Sequence, residues 1–376
     1  MAAVLWAHLV FGQGGMALDA ARRHIAEGRF EEARAVLEKS LSSSSPADHR
    51  YTLAVLYLRE ENYAKAAPHL ERLTAETPRD LRVWLAMARV QWRLDRKDRA
   101  LAAAARAEEL AGQVPGAWGT LALFYADAGD WRRAAHWQRQ LAAVQPDLQQ
   151  IARAAEYSLR AGEAALLLDW ARKQPESEAN PVWLYAQAEA QRGLGESLKA
   201  LEAYRKAISA NPQEPLYYRA IAGLLLDHRN PEAAIPFLEQ GKTRFPRDPA
   251  LLRQLGLARF GTGDKPGALQ AFLEAIDAAP DSEASYAGLE QLISEPGALR
   301  QELEARLKRF TGSRPESPLG WYLLGLLSQD AEGKAVLLER AVDAEPSFWP
   351  AYLELHRVAA AAGDLKKTRD YLNKVL

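Results

Sequence analysis

The chain has 376 residues, 48% of them hydrophobic and 26% charged, a composition with enough apolar surface to fold and unlike that of disordered or membrane-embedded chains. Lys plus Arg number 48 against 49 Asp plus Glu, a formal charge of −1, which leaves no global attraction for nucleic-acid phosphates or anionic lipid and confines charge-based recognition to local patches. There is no cysteine, which excludes disulfides, thiolate metal sites and cysteine nucleophiles, and no apolar run reaches the roughly 20 residues of a membrane-spanning helix.

Residues 1–15 come first, with Ala2 to Phe11 apolar and running into Gly12, Gln13, Gly14 and Gly15. This segment has the length of a signal's apolar part but no preceding Lys or Arg. It reads either as a signal remnant, implying a periplasmic or secreted protein, or as a segment that packs Leu5, Leu9 and Phe11 onto the adjoining part of the fold in a cytoplasmic one.

From residue 16 the chain repeats itself. Ala66, Ala100 and Ala134 are 34 residues apart, as are Ala200, Ala234 and Ala268, Trp84 and Trp118, and Pro212, Pro246 and Pro280. From Ala134 to Ala200 is two periods less two residues, which predicts one continuous array over 16–376 rather than two domains. The unit from Gly116 to Pro146 shows the plan. Trp118, Leu121, Ala122 and Tyr125 form one face of a helix. Gly129 and Asp130 end it and cap the next, which buries Ala134, Trp137 and Leu141 before Pro146 closes the unit. Similar turns are expected at Gly28, Glu61 with Asn62, Gly195, Asn230 with Pro231, Gly263 with Asp264, and Gly363 with Asp364. The array is expected to be irregular near 148–181, where Leu166, Leu167 and Trp170 replace the second-helix alanine. It is also irregular near 282–315, with Glu290, Glu302 and Pro296, and near 321–346, where a turn is about three residues short. The last helix carries Leu365, Tyr371, Leu372 and Val375 with no polar helix after it, a face expected to fray or to mediate self-association.

These residues resemble the tetratricopeptide repeat, and the Ala-, Arg- and Leu-rich style resembles its bacterial members. Trp118, Leu121, Ala122, Tyr125 and Ala134 match that family's pattern, as do Ala200, Tyr204, Ala207 and Pro212, and Ala268, Phe272, Ala275 and Pro280. The resemblance covers nearly the whole chain in about eleven repeats. It implies an all-α, right-handed superhelical solenoid of antiparallel helix pairs that binds a partner peptide or protein segment in a concave groove. The runner-up is an accessory or substrate-positioning subunit of an enzyme or envelope assembly complex on other chains. Fold alone does not separate the two.

On this pattern Trp84, Trp118, Trp137 and Trp321 are core residues. Family analogy places the groove at the second, fifth, ninth, twelfth and thirteenth positions of first helices, counted with the aromatic as fourth. Those positions give Arg82, Arg89, Trp92 and Arg93; Arg153, Tyr157 and Arg160; Tyr185, Glu189 and Arg192; and Arg219, Arg253 and Phe260. Two readings stand side by side. Either the arginines grip carboxylates of an acidic segment between aromatic anchors, or they pair with neighbouring acids. The sixth positions, among them Ala86, Ala154, Ala186 and Gln254, hold no asparagine, which argues against a chaperone-type carboxylate clamp. No His-Glu-x-x-His, Gly-x-Ser-x-Gly or phosphate-loop string occurs, and Gly261, Gly263 and Gly267 lie in a turn between helices. The expectation is therefore a non-enzyme with no catalytic residue, no metal, no cofactor, no nucleic-acid partner and no integral membrane span.

Overall fold

The stride of 34 residues becomes a helix, a tight turn and a second helix folded back on the first. A computed structural model describes residues 16–41, 45–112, 114–279, 282–289, 292–293 and 299–375. The apolar segment 1–15, Glu290 and Pro296 lie outside the described residues. Among those described there are 22 helices, ten successive pairs of which fold back on each other, and no strand. One compact unit, up to Ser177, holds α1 (Met16–Ala26), α2 (Phe30–Ser40), α3 (Ala47–Arg59), α4 (Tyr63–Glu76), α5 (Leu81–Arg93), α6 (Lys97–Ala111), α7 (Pro115–Asp127), α8 (Trp131–Val144), α9 (Leu148–Arg160) and α10 (Ala164–Arg172). A second, from Glu178, holds α11 (Pro181–Gly193), α12 (Ser197–Ala210), α13 (Pro215–Asp227), α14 (Pro231–Arg244), α15 (Pro249–Gly261), α16 (Lys265–Ala278), α17 (Glu283–Tyr286), α18 (Leu299–Ser313), α19 (Pro318–Leu327), α20 (Ala331–Ala344), α21 (Trp349–Ala361) and α22 (Leu365–Val375).

Three local devices recur. Nine tight turns contain one residue in the left-handed region, where glycine is least strained. It is Gly28, Gly129, Gly162, Gly195, Gly263 or Gly363 at six turns, and Glu61, Asp95 or Arg229 at three others. Asn62, Asp130, Asn230 and Asp264 then cap the second helix through a side-chain oxygen that accepts from a backbone N–H three residues on. The large residue at the fourth position of a first helix ties that helix to the preceding connection by donating to the carbonyl six residues earlier. Trp84 reaches Pro78, Trp118 reaches Gly112, Tyr218 reaches Pro212 and Trp321 reaches Pro315, at 2.8–3.2 Å.

The core follows from small residues at the crossings. Ala54, Ala88, Ala122, Ala155, Ala188 and Ala222 on first helices, and Ala66, Ala100, Ala134, Ala200, Ala234 and Ala268 on second helices, are all buried. Their lack of bulk lets backbones approach and lets Leu, Tyr and Phe side chains fill the spaces between pairs.

The irregularities have definite origins. Leu81, Pro115, Leu148, Pro181, Pro215 and Pro249 open successive first helices with spacings of 34, 33, 33, 34 and 34, so two single deletions account for the shortfall between Ala134 and Ala200. In α10, Leu167 is buried in the alanine's place while Leu166 is exposed, and the helix ends after nine residues. Near 321–346 the missing residues come out of the first helix, since α19 has 10 residues where α13 and α15 have 13. α22 buries none of its residues, and no helix of the described residues is long and apolar enough to cross a membrane.

Candidate functional site

The exposed face of the first helices is the surface to which the pattern assigns binding, and its residues fall into three groups. Some arginines are already paired. Arg82 pairs with Asp80 at 2.6 Å and Asp48 at 3.6 Å and lies 4.9 Å from the Tyr51 ring. Arg160 pairs with Glu156 at 3.1 Å and sits 4.6 Å from the Trp131 ring. Arg192 bridges Glu189 at 3.6 Å and Asp227 of the next first helix at 2.8 Å. Arg219 reaches Asp248 only at 3.9 Å, and its Nε is buried without a hydrogen-bond partner.

A second group has no ion pair among the described residues: Arg89 and Arg93, both exposed, and the half-buried Arg153 and Arg253. In the first unit Arg89 and Arg93 flank Trp92, whose ring meets Phe124 edge-on at 5.9 Å. Leu123 of α7, 46% exposed, extends this surface. It occupies the ninth position of its repeat, where the counting rule points. In the second unit Arg253 is followed along α15 by Phe260, half-buried against the cluster of Phe272, Tyr286, Leu289 and Phe310.

The third group is buried, and here the sequence expectation needs correction. Tyr157 is 7% exposed and packs on Trp131 with centroids 5.8 Å apart; Tyr185 is 6% exposed and packs on Tyr204 and Tyr217. Neither ring is open to a partner. For Tyr157 the cause is register. Besides Tyr157, the buried residues of α9 are Ile151, Ala154, Ala155 and Ser158, whose spacing matches Trp118, Leu121, Ala122 and Tyr125, so the fourth position is Ile151 and not Ala152. Arg153 and Tyr157 each move one place off the wall positions, while Glu156 moves onto one. Tyr185 is in register, but the neighbouring Tyr217 and Tyr204 cover it.

Burial pushes the hydroxyls of Tyr185 and Tyr204 well above the ordinary tyrosine value, and the adjacent Glu189 carboxylate, which accepts from Tyr204 Oη at 2.7 Å, adds to the shift. Burial opposes the Arg192 charge, but Glu189, Tyr204 and Asp227 outweigh it and hold the guanidinium above its ordinary value. The result is a fixed charge network of two acids and one base, with two phenols that stay neutral at physiological pH. Among the described residues no group of three or more His, Asp and Glu side chains is placed to hold a metal ion.

Set beside known proteins, the chain matches the tetratricopeptide repeat family model over residues 24–90 and, in a second version of that model, over 185–249 and 219–283. Similar solved structures include MamA 41-end from Desulfovibrio magneticus RS-1, at 23% identity over 43% of this chain and 92% of that one, TM-score 0.34. Another MamA crystal structure aligns at 17% identity over 47% and 97%, TM-score 0.33. The APC/C hetero-tetramer Cut9-Hcn1 aligns at 13% identity over 95% of this chain and 85% of that chain, TM-score 0.38. No curated protein matches. With its helix pairs at a 34-residue stride, its buried alanines in register and family matches in both units, the chain carries tetratricopeptide repeats.

Proposed function

We propose that the exposed first-helix wall of this interaction scaffold binds an extended partner segment that carries carboxylates beside apolar side chains, and that the chain performs no chemistry of its own. Tetratricopeptide arrays are protein-interaction scaffolds, because each helix pair spends one face on its neighbours and leaves the wall free. The observation that carries the finer reading is the pair Arg89 and Arg93, without acids of their own among the described residues, on either side of Trp92 and next to exposed Leu123. A guanidinium without a partner suits bidentate contact with a carboxylate, and a half-buried indole suits an apolar anchor. Arg253 with Phe260 offers the same combination in the second unit. Arg82, Arg160 and Arg192 are already neutralised and contribute less.

The test uses a fluorescent peptide of alternating Glu and Leu, titrated against the wild-type chain and Arg89→Glu/Arg93→Glu at several salt concentrations. The double reversal is expected to lower affinity by roughly tenfold or more, the effect of losing charge-assisted hydrogen bonds worth about 1.5–3 kcal/mol, and to flatten the salt dependence. Equal affinity and equal salt dependence would remove the reading. Self-association through α22 belongs to the same proposal, supported by Leu365 at 82% exposure. A sedimentation mass of one chain at high concentration would remove that part.

A further inference from the structure

Three consecutive repeats build the same three-helix junction, and the middle one builds it without its aromatic side chains. In the second repeat Tyr57 of α3 stacks on His69 of α4 with centroids 5.8 Å apart. Lys65 lies 5.6 Å from the Tyr57 ring, and the Tyr57 hydroxyl donates to Glu38 of α2 at 2.5 Å. In the fourth repeat, two strides on, Tyr125 of α7 and Trp137 of α8 hold the same positions. There Arg133 lies 5.2 Å from the Tyr125 ring and Trp137 Nε1 donates to Glu108 of α6 at 2.7 Å. One stride from each, the third repeat has Gln91 and Ala103, but keeps the cation as Arg99.

The space that two rings fill next door is open here. A cleft of about 510 Å³, within the size range of ligand sites, is lined by Glu71 of α4, Trp84, Met87 and Gln91 of α5, and Arg99 and Ala103 of α6. Gln91 is 2% exposed. Its Nε2 faces Glu71 Oε1 at 3.4 Å and Met87 Sδ at 3.3 Å. Both are acceptors, so the amide carbonyl must point the other way, and Oε1 has no hydrogen-bond partner. Arg99 has no ion pair among the described residues. The Trp84 N–H is already donated to Pro78, so the indole offers the cleft only its ring. The sixth repeat, with Gln191 and Ala203 at these places, also leaves its glutamine Oε1 unpaired, whereas in the fifth the missing tyrosine is compensated from within. Ser158 is the counterpart of Tyr125 in the fifth repeat, and buried Arg139 of α8 fills the gap, donating to Ser158 Oγ at 2.8 Å and pairing with Glu163 at 3.0 Å.

We propose that this cleft receives a tyrosine side chain of a partner polypeptide, which completes the junction that the flanking repeats complete themselves. The ring rests on Trp84 and Met87, the Arg99 guanidinium covers its face as Lys65 and Arg133 cover theirs, and the hydroxyl donates to the exposed Glu71 carboxylate, as the Tyr57 hydroxyl donates to Glu38. A single ring does not fill the cleft, which leaves room for the flanking backbone and so favours a residue within a chain over a free phenol. The site lies between α4 and α6, on the side of α5 opposite Arg89 and Arg93, and does not depend on the arginine wall.

Ligand-detected NMR on the full chain tests it, with p-cresol as the side-chain mimic, toluene as the ring without a hydroxyl, and a Gly-Ser peptide with one central tyrosine. The proposal expects p-cresol and the peptide to bind, toluene to bind roughly fivefold more weakly for want of one hydrogen bond, and Gln91→Tyr to abolish binding while raising Tm. Arg99→Ala, a surface change that decides the matter whether or not Gln91→Tyr folds, is expected to weaken p-cresol binding by a similar factor. Absence of p-cresol binding, which would leave the cleft to water, overturns the proposal. So does binding that persists unchanged in Arg99→Ala or Gln91→Tyr, or binding of p-cresol without the peptide, which would assign the cleft to free phenols.

Discussion

Gly256 stands at the crossing where other first helices carry alanine, and a Cβ there would lie 2.9 Å from the ring of buried Phe272. The ring has nowhere to move, so Gly256→Ala is expected to destabilise the chain by about 1–3 kcal/mol through overpacking, read from urea denaturation. Arg139→Ala removes charged hydrogen bonds to Ser158 and Glu163 and is expected to cost about 1.5–3 kcal/mol, with Arg139→Met recovering part of the loss by filling the volume. Tyr51 and Tyr57 are both pushed up to about 12, chiefly by burial, with the Glu38 hydrogen bond adding for Tyr57. Both bind their proton more tightly folded than unfolded. Their contribution is therefore full below the ordinary value of 10.0 and is lost as pH rises from there through about 12. Urea midpoints and tyrosinate absorbance across that window should fall and rise together; phenols that titrate at their ordinary value without loss of stability would contradict this. At this scale the buried alanines and Trp118 were legible from spacing alone. The fates of Tyr157 and Tyr185 were not, because a one-residue shift or an aromatic neighbour on another helix hides a ring that position alone marks as open.

At the scale of the element, the tight turns carry the plan. Gly129 adopts φ +76°, and Arg229 holds the equivalent place at φ +53°. A side chain in the left-handed region costs roughly 1–2 kcal/mol, so Arg229→Gly is expected to stabilise the chain by about 1 kcal/mol and Gly129→Ala to destabilise it by a similar amount, both measured as shifts in the urea midpoint. Turns that contain glycine were readable in the sequence, except that at Gly162, which lies in the irregular stretch 148–181. The Arg229 turn lacks glycine but is marked by Asn230 and Pro231, whereas the turn at Asp95 carries no such mark, and only its distance from neighbouring turns reveals it. The position of the deletion before α9 was hidden for a related reason. Ile151 and Ala152 are both apolar, and Ala154 and Ala155 are both small, so two registers satisfy the same pattern and only burial separates them.

Across the whole molecule, the stride and the pairing of helices were evident from recurring Ala, Trp and Pro alone, because apolar helix faces have no other way to leave water than against the pair before and after. Which arginines are neutralised was not, since Arg82, Arg192 and Arg219 find acids some 30 residues away on an adjoining repeat. The unfilled cleft at Gln91 was present in the sequence as a departure from the tyrosine of its neighbours, but it gains meaning only when the flanking junctions are seen filled. If the stride is the structural unit, removing one whole period should leave a folded chain. Deletion of residues 215–248 joins Glu214 to Pro249, and Glu214 is itself a helix cap like the Asp248 it replaces. The shortened chain is expected to unfold cooperatively at a lower Tm, with a loss of far-UV signal in proportion to one repeat. Loss of cooperative unfolding, with a collapse of helical signal well beyond that share, would contradict the stride as the structural unit.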